Sequence, residues 1–426
     1  MKAVIVGGGW SGCAAAAAAK KAGLEAAILE RTDMLLGTGL VGGIMNNNGR
    51  LTASLEMAAM GAGDMFDICS SCARHENVDF PGHNHAMLYD IALIHGAVHR
   101  YLLDLGVDVK FFSRVKSLKK EGNRIKQVAD EKGGIFEADV FIDATGTAGP
   151  MSNCSKYGNG CAMCILRCPS FGGRISLAGL AGAKEKTGRN SNGAVGAMSG
   201  SCKLHIQSLS AEIQEKLAVS GMARVPAPKV LSAGKLSAKA CQQYALDEYK
   251  ENLILLDTGH AKMMTPYMEL ESLRSVPGME NARYEDPYAG GVGNSMRYFD
   301  MAPRDDSLKV EGIDNLYCCG EKAGLLVGHT EAICTGALAG FNAAMSAFGK
   351  NPLVLPEELA VGFAIHAVRE AMETPEGMGK KFTFSGSVLF EAMVERQLYS
   401  VNPEEIDKRV RKAGLFDAMA GIKGLA

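Results

Sequence analysis

The chain has 426 residues, 47% apolar and 22% charged, with a formal net charge of −2. That length predicts two or three domains with ample core, in the composition range of a soluble α/β protein. It excludes a membrane-spanning helix, because no apolar run approaches the ~18 residues one needs.

Residues 4–12 read Val-Ile-Val-Gly-Gly-Gly-Trp-Ser-Gly. This predicts an apolar strand beginning near Lys2, a glycine turn, and an alanine-rich helix from Ser11 to about Ala22. A strand that early leaves no room for a signal peptide, so the expected location is cytoplasmic, where the twelve cysteines stay reduced unless they bind metal or cycle. A second strand, Glu25 to Leu29, ends at the acidic Glu30. In this arrangement Gly7 permits the tight turn, Gly9 lets backbone approach a pyrophosphate, and Gly12 allows close packing of strand and helix. The helix N-terminus, with Ser11 in its first turn, attracts phosphate, and Glu30 is placed to hydrogen-bond a ribose. Trp10 inside the phosphate loop and Arg31 beyond the acid are counted with these cofactor-binding candidates.

After Glu30 comes a glycine-rich loop, 36–50, and then two amphipathic stretches, about 51–66 and 84–105, that read as helices. Val107–Ser113 reads as a strand, and 115–130 with 135–137 as hairpin material. Residues 138–146, Ala-Asp-Val-Phe-Ile-Asp-Ala-Thr-Gly, read as a buried parallel strand ending in a turn. Residues 151–285 change character, first cysteine- and glycine-rich, then basic and helical. Between 151 and 250 thirteen Lys or Arg stand against five acids, which points to an anionic small-molecule substrate or partner, or else to a solvated basic surface. Strand, glycine turn and helix recur over 313–345, and from Pro356 the chain reads as helices. The expected organisation is 1–150 and 286–350 as two parts of a nucleotide-binding domain, 151–285 as a basic insert, and 351–426 as a helical region.

This split pattern resembles the FAD-binding families of the glutathione-reductase type, and the resemblance implies a Rossmann-like α/β fold around one non-covalent FAD. It places Gly7, Gly9, Ser11, Gly12 and Glu30 at the ADP half, Val115 at adenine, Thr145 and Gly146 at a mid-chain turn, and Gly320 with Glu321 at the ribityl chain. Gly42 and Gly43 fall in the loop that covers the flavin ring. Leu273-Arg-Ser-Val-Pro-Gly-Met-Glu-Asn-Ala282, Gly328-His-Thr-Glu331 and Gly340-Phe-Asn-Ala-Ala344 form an ordered series similar to the tRNA-modifying flavoproteins, the GidA type and the folate- and FAD-dependent tRNA uridine methyltransferases. A helix opening at Gly328–Ala332 would aim its N-terminus at the flavin edge, with His329 or Glu331 nearby. Glu331 is equally read as a first-turn acid favoured by the helix dipole.

The least common feature is Cys154, Cys161, Cys164 and Cys168, the last followed by Pro169. Their spacing is the tail of a ferredoxin pattern, so the four are candidate metal ligands for a 4Fe-4S iron–sulfur cluster, with Cys202 as an alternative fourth. Cys161 and Cys164 are alternatively a catalytic redox dithiol; zinc ligation and structural cysteines stay open. Cys69-Ser-Ser-Cys72, followed by His75, His83 and His85, is read as a metal group, as a loop over the substrate cavity, or as plain surface.

The expected activity is therefore an FAD-dependent oxidoreductase with a cysteine-based auxiliary redox centre, acting on an anionic substrate or with a ferredoxin-like partner as a homo-oligomer. The alternative is FAD- and methylenetetrahydrofolate-dependent modification of a tRNA uridine, with the basic insert holding RNA and a cysteine adding to C6. A third reading is a non-enzymatic, FAD-holding electron-transfer subunit.

Overall fold

Five strands form a parallel sheet in the order Leu316–Cys318, Val140–Asp143, Lys2–Val6, Glu25–Leu29, Asp108–Lys110. The computed structural model describes residues 1–146, 175–188, 197–198, 201–227, 246–265, 268–285, 296–297 and 300–422. The three central strands are almost wholly apolar and buried, as parallel strands covered on both faces must be. The register sets Val6 beside both Leu29 and Asp143, and Asp143 beside Cys318. Four strands thus end level, and their following turns open at one end of the sheet, where doubly wound folds bind ligands. This is the expected Rossmann-like α/β architecture, with the strand at 316 returning to the sheet begun at residue 2.

Helix Trp10–Lys21 packs against the long helix His329–Ala347. Small residues make the approach close. A Cβ on Gly336 would lie 2.2 Å from the Ser11 carbonyl oxygen, and one on Gly340 2.1 Å from that of Ala15.

Two expected helices differ in the structure. The stretch 51–66 is divided into Gly49–Ala59 and Asp64–Ser71 by a turn in which Gly61 has φ +85°. Within 84–105 only Ile94–Asp104 is helical; His83–Tyr89 is a strand paired antiparallel with Ala73–Phe80 across Pro81-Gly82. The Pro-Gly turn commits the chain to a hairpin, and the apolar run 86–89 is then buried by other sheets rather than along one helical stripe.

The segment between the two nucleotide-binding parts contributes a four-stranded antiparallel sheet in the order Cys202–Leu204, Ala261–Met263, Asn252–Asp257, Met222–Pro226. Leu204, Leu253, Leu255 and Met263 share a core with Ile213 and Leu217 of helix Ala211–Ser220. The opposite face puts Ile254 and Leu256 against Ile44, Phe80 and Leu88. Asp257, buried on this sheet, accepts hydrogen bonds from Arg74 Nε at 2.8 Å and pairs with His75 Nε2 at 2.9 Å. Among the described residues no helix is long and apolar enough to cross a membrane.

The C-terminal helices Ala360–Ala371, Ser387–Glu395 and Pro403–Lys412 follow, and a buried acid ties them to helix Gly49–Ala59. The Glu56 carboxylate accepts the N–H groups of Ala360 at 2.8 Å and Val361 at 3.0 Å, with Arg409 Nη1 at 3.4 Å. Burial outweighs these partners and pushes its pKa from 4.5 up to about 7. The folded protein therefore holds this proton to higher pH than the unfolded chain does. The contribution is full below about pH 4.5 and is lost as pH rises through about 7, by up to about 3 kcal/mol. Urea midpoints will show the Glu56→Gln variant gaining on wild type between about pH 5 and about pH 7.5. A pH-independent gap between the two would refute the assignment.

Candidate functional site

The level strand ends leave a cleft at the C-terminal edge of the sheet. Its walls bring together Gly7, Gly9, Trp10 and Ser11 from the first turn, Glu30 and Arg31 from the second, Val115, and Thr145 with Gly146. Gly320, Glu321, Gly328, His329 and Ala332 complete it from the returning chain. Sites separated by more than 300 residues thus face one space.

The local geometry explains the residue types. Gly7 sits at φ +103°, and a Cβ there would lie 2.4 Å from the Ala144 carbonyl oxygen. A Cβ on Gly12 would lie 1.9 Å from the Gly7 carbonyl oxygen, so Gly12 belongs to the packing beneath the cleft, not to its wall. Glu30 is a brace as well as a wall. One carboxylate oxygen accepts the Gly8 N–H at 2.8 Å, and the other accepts the Thr32 N–H at 2.8 Å and hydroxyl at 2.9 Å. Asp143, fully buried, accepts the Thr145 N–H at 3.1 Å and hydroxyl at 2.7 Å, and the Ala178 N–H at 2.8 Å. It shapes the Ala-Thr-Gly turn through a side chain bonding two residues ahead.

The residues suit a dinucleotide such as FAD. A Cβ added to Gly9 would meet no protein atom within 4 Å, so backbone there borders open cleft. Helix Trp10–Lys21 begins beside it with no side-chain cap and no acid in its first turn, leaving its positive end for a phosphate. The wall extends on past Thr38 and Ile91 to Lys203 and His260 of the antiparallel sheet.

Trp10 is fixed by contacts the sequence did not signal. Its Nε1 donates to Tyr89 Oη at 3.4 Å, and the two rings meet edge to face with centroids 5.9 Å apart. Tyr89 Oη donates to the Gly39 carbonyl oxygen at 2.8 Å. Burial pushes the Tyr89 pKa up and keeps the hydroxyl protonated. The pair clips the loop 36–42 to the hairpin.

Four candidates lie away from the cleft wall. Gly42 lies against the His329 imidazole and Gly43 against Thr258, while Gly12 packs as described. Glu331 does not line the cleft; its carboxylate is buried against Arg50 Nε at 3.1 Å and accepts the Thr383 hydroxyl at 2.7 Å and the Phe384 N–H at 2.8 Å. Arg50 supplies the opposite charge, and a buried carboxylate requires such a partner.

Cys154, Cys161, Cys164 and Cys168 lie outside the described residues. Among the described residues no group of three or more His, Cys, Asp or Glu is placed to hold a metal. His75 is engaged by Asp257, and His83 Nδ1 lies 2.7 Å from Asn47 Nδ2. Burial pushes the Cys13, Cys69, Cys319 and Cys334 thiols up, and Cys318 to about 12, so these five are core residues rather than nucleophiles.

Residues 2–265 and 233–351 match the family model described as glucose inhibited division protein A. The chain belongs to this family. The resemblance to GidA-type flavoproteins is thereby confirmed.

The chain is 38% identical over 104 residues to the tRNA uridine 5-carboxymethylaminomethyl modification enzyme MnmG of Acholeplasma laidlawii, an alignment covering 24% of this chain and 16% of that enzyme. It is 35% identical over 121 residues to the methylenetetrahydrofolate–tRNA-(uracil-5-)-methyltransferase TrmFO of Thermus thermophilus, covering 27% of this chain and 25% of that enzyme. The chain thus spans only a sixth to a quarter of the length of these relatives. Among solved structures it superposes on GidA of Aquifex aeolicus with TM-score 0.67 and 16% identity, over 97% of this chain and 73% of that one, which supports the fold.

These relatives correct the leading functional expectation. They are named for tRNA uridine chemistry, not as oxidoreductases with a cysteine-based redox centre, and so they favour the RNA alternative.

Proposed function

We propose that this chain is a flavin-holding enzyme that modifies uridine in tRNA, with methylenetetrahydrofolate as the source of a one-carbon unit. The observation that carries the reading is the cleft. The three glycine turns of a dinucleotide site close on one space, and that space runs on to ionisable residues of a separate sheet, in a chain of this family. Gly7, Gly9, Ser11 and the helix start would hold the pyrophosphate, Glu30 the ribose, Val115 the adenine, and Gly320, Glu321 and Gly328–Ala332 the flavin half. When bound, FAD supplies hydride-transfer chemistry. The chain's own task is to exclude water, orient the base and manage its protons. The basic character of 151–250 supports a polyanionic partner.

The experiment pairs an anaerobic absorption spectrum with RNA binding across salt. The purified protein will be yellow. Contact with about six phosphates gives a log–log slope near −4, at ~0.7 per phosphate for single strands. Colourless protein unaffected by added FAD, or no tRNA binding at low salt, would defeat the reading.

A further inference from the structure

The cleft wall opposite the dinucleotide fold carries Lys203 and His260. His260 follows the tight turn that joins Asn252–Asp257 to Ala261–Met263. The Thr258 N–H donates to its carbonyl oxygen at 3.1 Å, and Asp257 Oδ1 accepts the Gly259 N–H at 3.1 Å. Lys203 comes from the adjacent strand, where Leu204 pairs with Ala261. Glu285 lies on the segment bridged to that strand through Tyr284, and its N–H donates to the Lys203 carbonyl oxygen at 3.0 Å. The Glu285 carboxylate lies directly against His260 Nδ1. A carboxylate beside Nδ1 favours the tautomer that carries its proton there, which turns Nε2 toward a ligand as the acceptor.

Replacing the hydrogen on uracil C5 by carbon requires that hydrogen to leave as a proton, so a base must stand beside the ring. We propose that His260 is that catalytic base and that Glu285 is its positioning residue. The inference rests on the uridine reading above. C5 first bonds the one-carbon unit carried by methylenetetrahydrofolate, which leaves the folate nitrogen; the C5–H bond then breaks, its electron pair returns to the ring, and an N–H bond forms at His260 Nε2. The imidazolium is balanced by Glu285 and gives its proton to water at the end of turnover. Burial lowers the His260 pKa, opposed first by Glu285; Lys203 and His205 push it further down, and Asp90 opposes them. The net shift is downward, so the imidazole is neutral and able to accept at neutral pH.

The test uses flavin-loaded protein with reductant, methylenetetrahydrofolate and a tRNA transcript tritiated at uracil C5. His260→Gln will slow tritium release about 10²–10⁴-fold, the usual contribution of a general base, with flavin content and RNA affinity retained. Added imidazole will restore release to His260→Ala, which a packing role would not allow. Wild-type release will fall on the acid side as His260 protonates. Glu285→Gln, which preserves side-chain volume and guards against a folding artefact, will move that fall to lower pH. Release by His260→Gln within about threefold of wild type, on the same pH profile, overturns the role of His260 and leaves the uridine reading intact. No release by wild type overturns the uridine reading, and this inference with it.

Discussion

Gly12→Ala will be recovered without flavin and with a lowered melting temperature. Its new Cβ would lie 1.9 Å from the Gly7 carbonyl oxygen and 3.2 Å from the Ala144 Cβ. The clash is with backbone, so no side chain can swing away from it. Helix Trp10–Lys21 is also braced from its other side, where Gly336 meets Ser11 backbone. Relief must therefore come from the glycine turn itself. Overpacking of this kind costs about 1–3 kcal/mol, and it displaces the N–H groups meant for phosphate. FAD affinity should fall at least ~100-fold, since about 3 kcal/mol of lost contacts gives that factor.

Gly9→Ala separates the two effects. Its Cβ meets no protein atom within 4 Å, so the apoprotein will melt as wild type does while FAD affinity drops. Thermal melts with and without added FAD, together with flavin stoichiometry, read both variants. A flavin-replete Gly12→Ala protein would contradict the packing argument.

Glu331→Ala will be among the most destabilising single changes in the chain, by about 3–5 kcal/mol, because it breaks a buried ion pair from one side, removing the carboxylate against which the Arg50 guanidinium packs. Arg50 and Glu331 join three segments. Arg50 Nη1 donates to Asn47 Oδ1 at 3.0 Å and Nη2 to the Thr383 hydroxyl at 3.1 Å, while Glu331 receives the Phe384 N–H at 2.8 Å. Loss of the carboxylate removes the acceptor of the Arg50 Nε, Thr383 hydroxyl and Phe384 N–H donors. The double variant Arg50→Met with Glu331→Leu removes both charges and will recover much of the loss, since replacing a buried pair by apolar groups is often near neutral. Chemical denaturation of the two variants checks this. A double variant no more stable than Glu331→Ala would mean that the hydrogen bonds, not the charge, dominate.

The nucleotide half of the site was legible because its requirements are backbone requirements. Only glycine fits at 7 and 12, so the turn and the close approach are written in residue type. Thr145, Gly146, Gly320 and Glu321 were legible through their order along the chain. Glu331 was read both as a flavin-edge group and as a dipole-favoured acid, and its partner settled neither from sequence. Arg50 lies 281 positions away, and a one-dimensional pattern carries no trace of such a pairing. Lys203 and His260 escaped notice for the same reason, since their shared wall arises only when two sheets meet. The strand His83–Tyr89 was missed because apolar residues at helical spacing outweighed a Pro-Gly turn that should have taken precedence.

The junction of the first helix with the one beginning at His329 also bears on how the protein is made. A ribosome delivers the amino-terminal strand and its alanine-rich helix long before the partner that covers them. Until residue 318 has emerged the sheet lacks one of its edge strands, and until residue 347 one helical flank stays wet. Sequence-distant closure of this sort slows folding and exposes sticky intermediates, so newly made chains have a long interval in which a holding chaperone is useful.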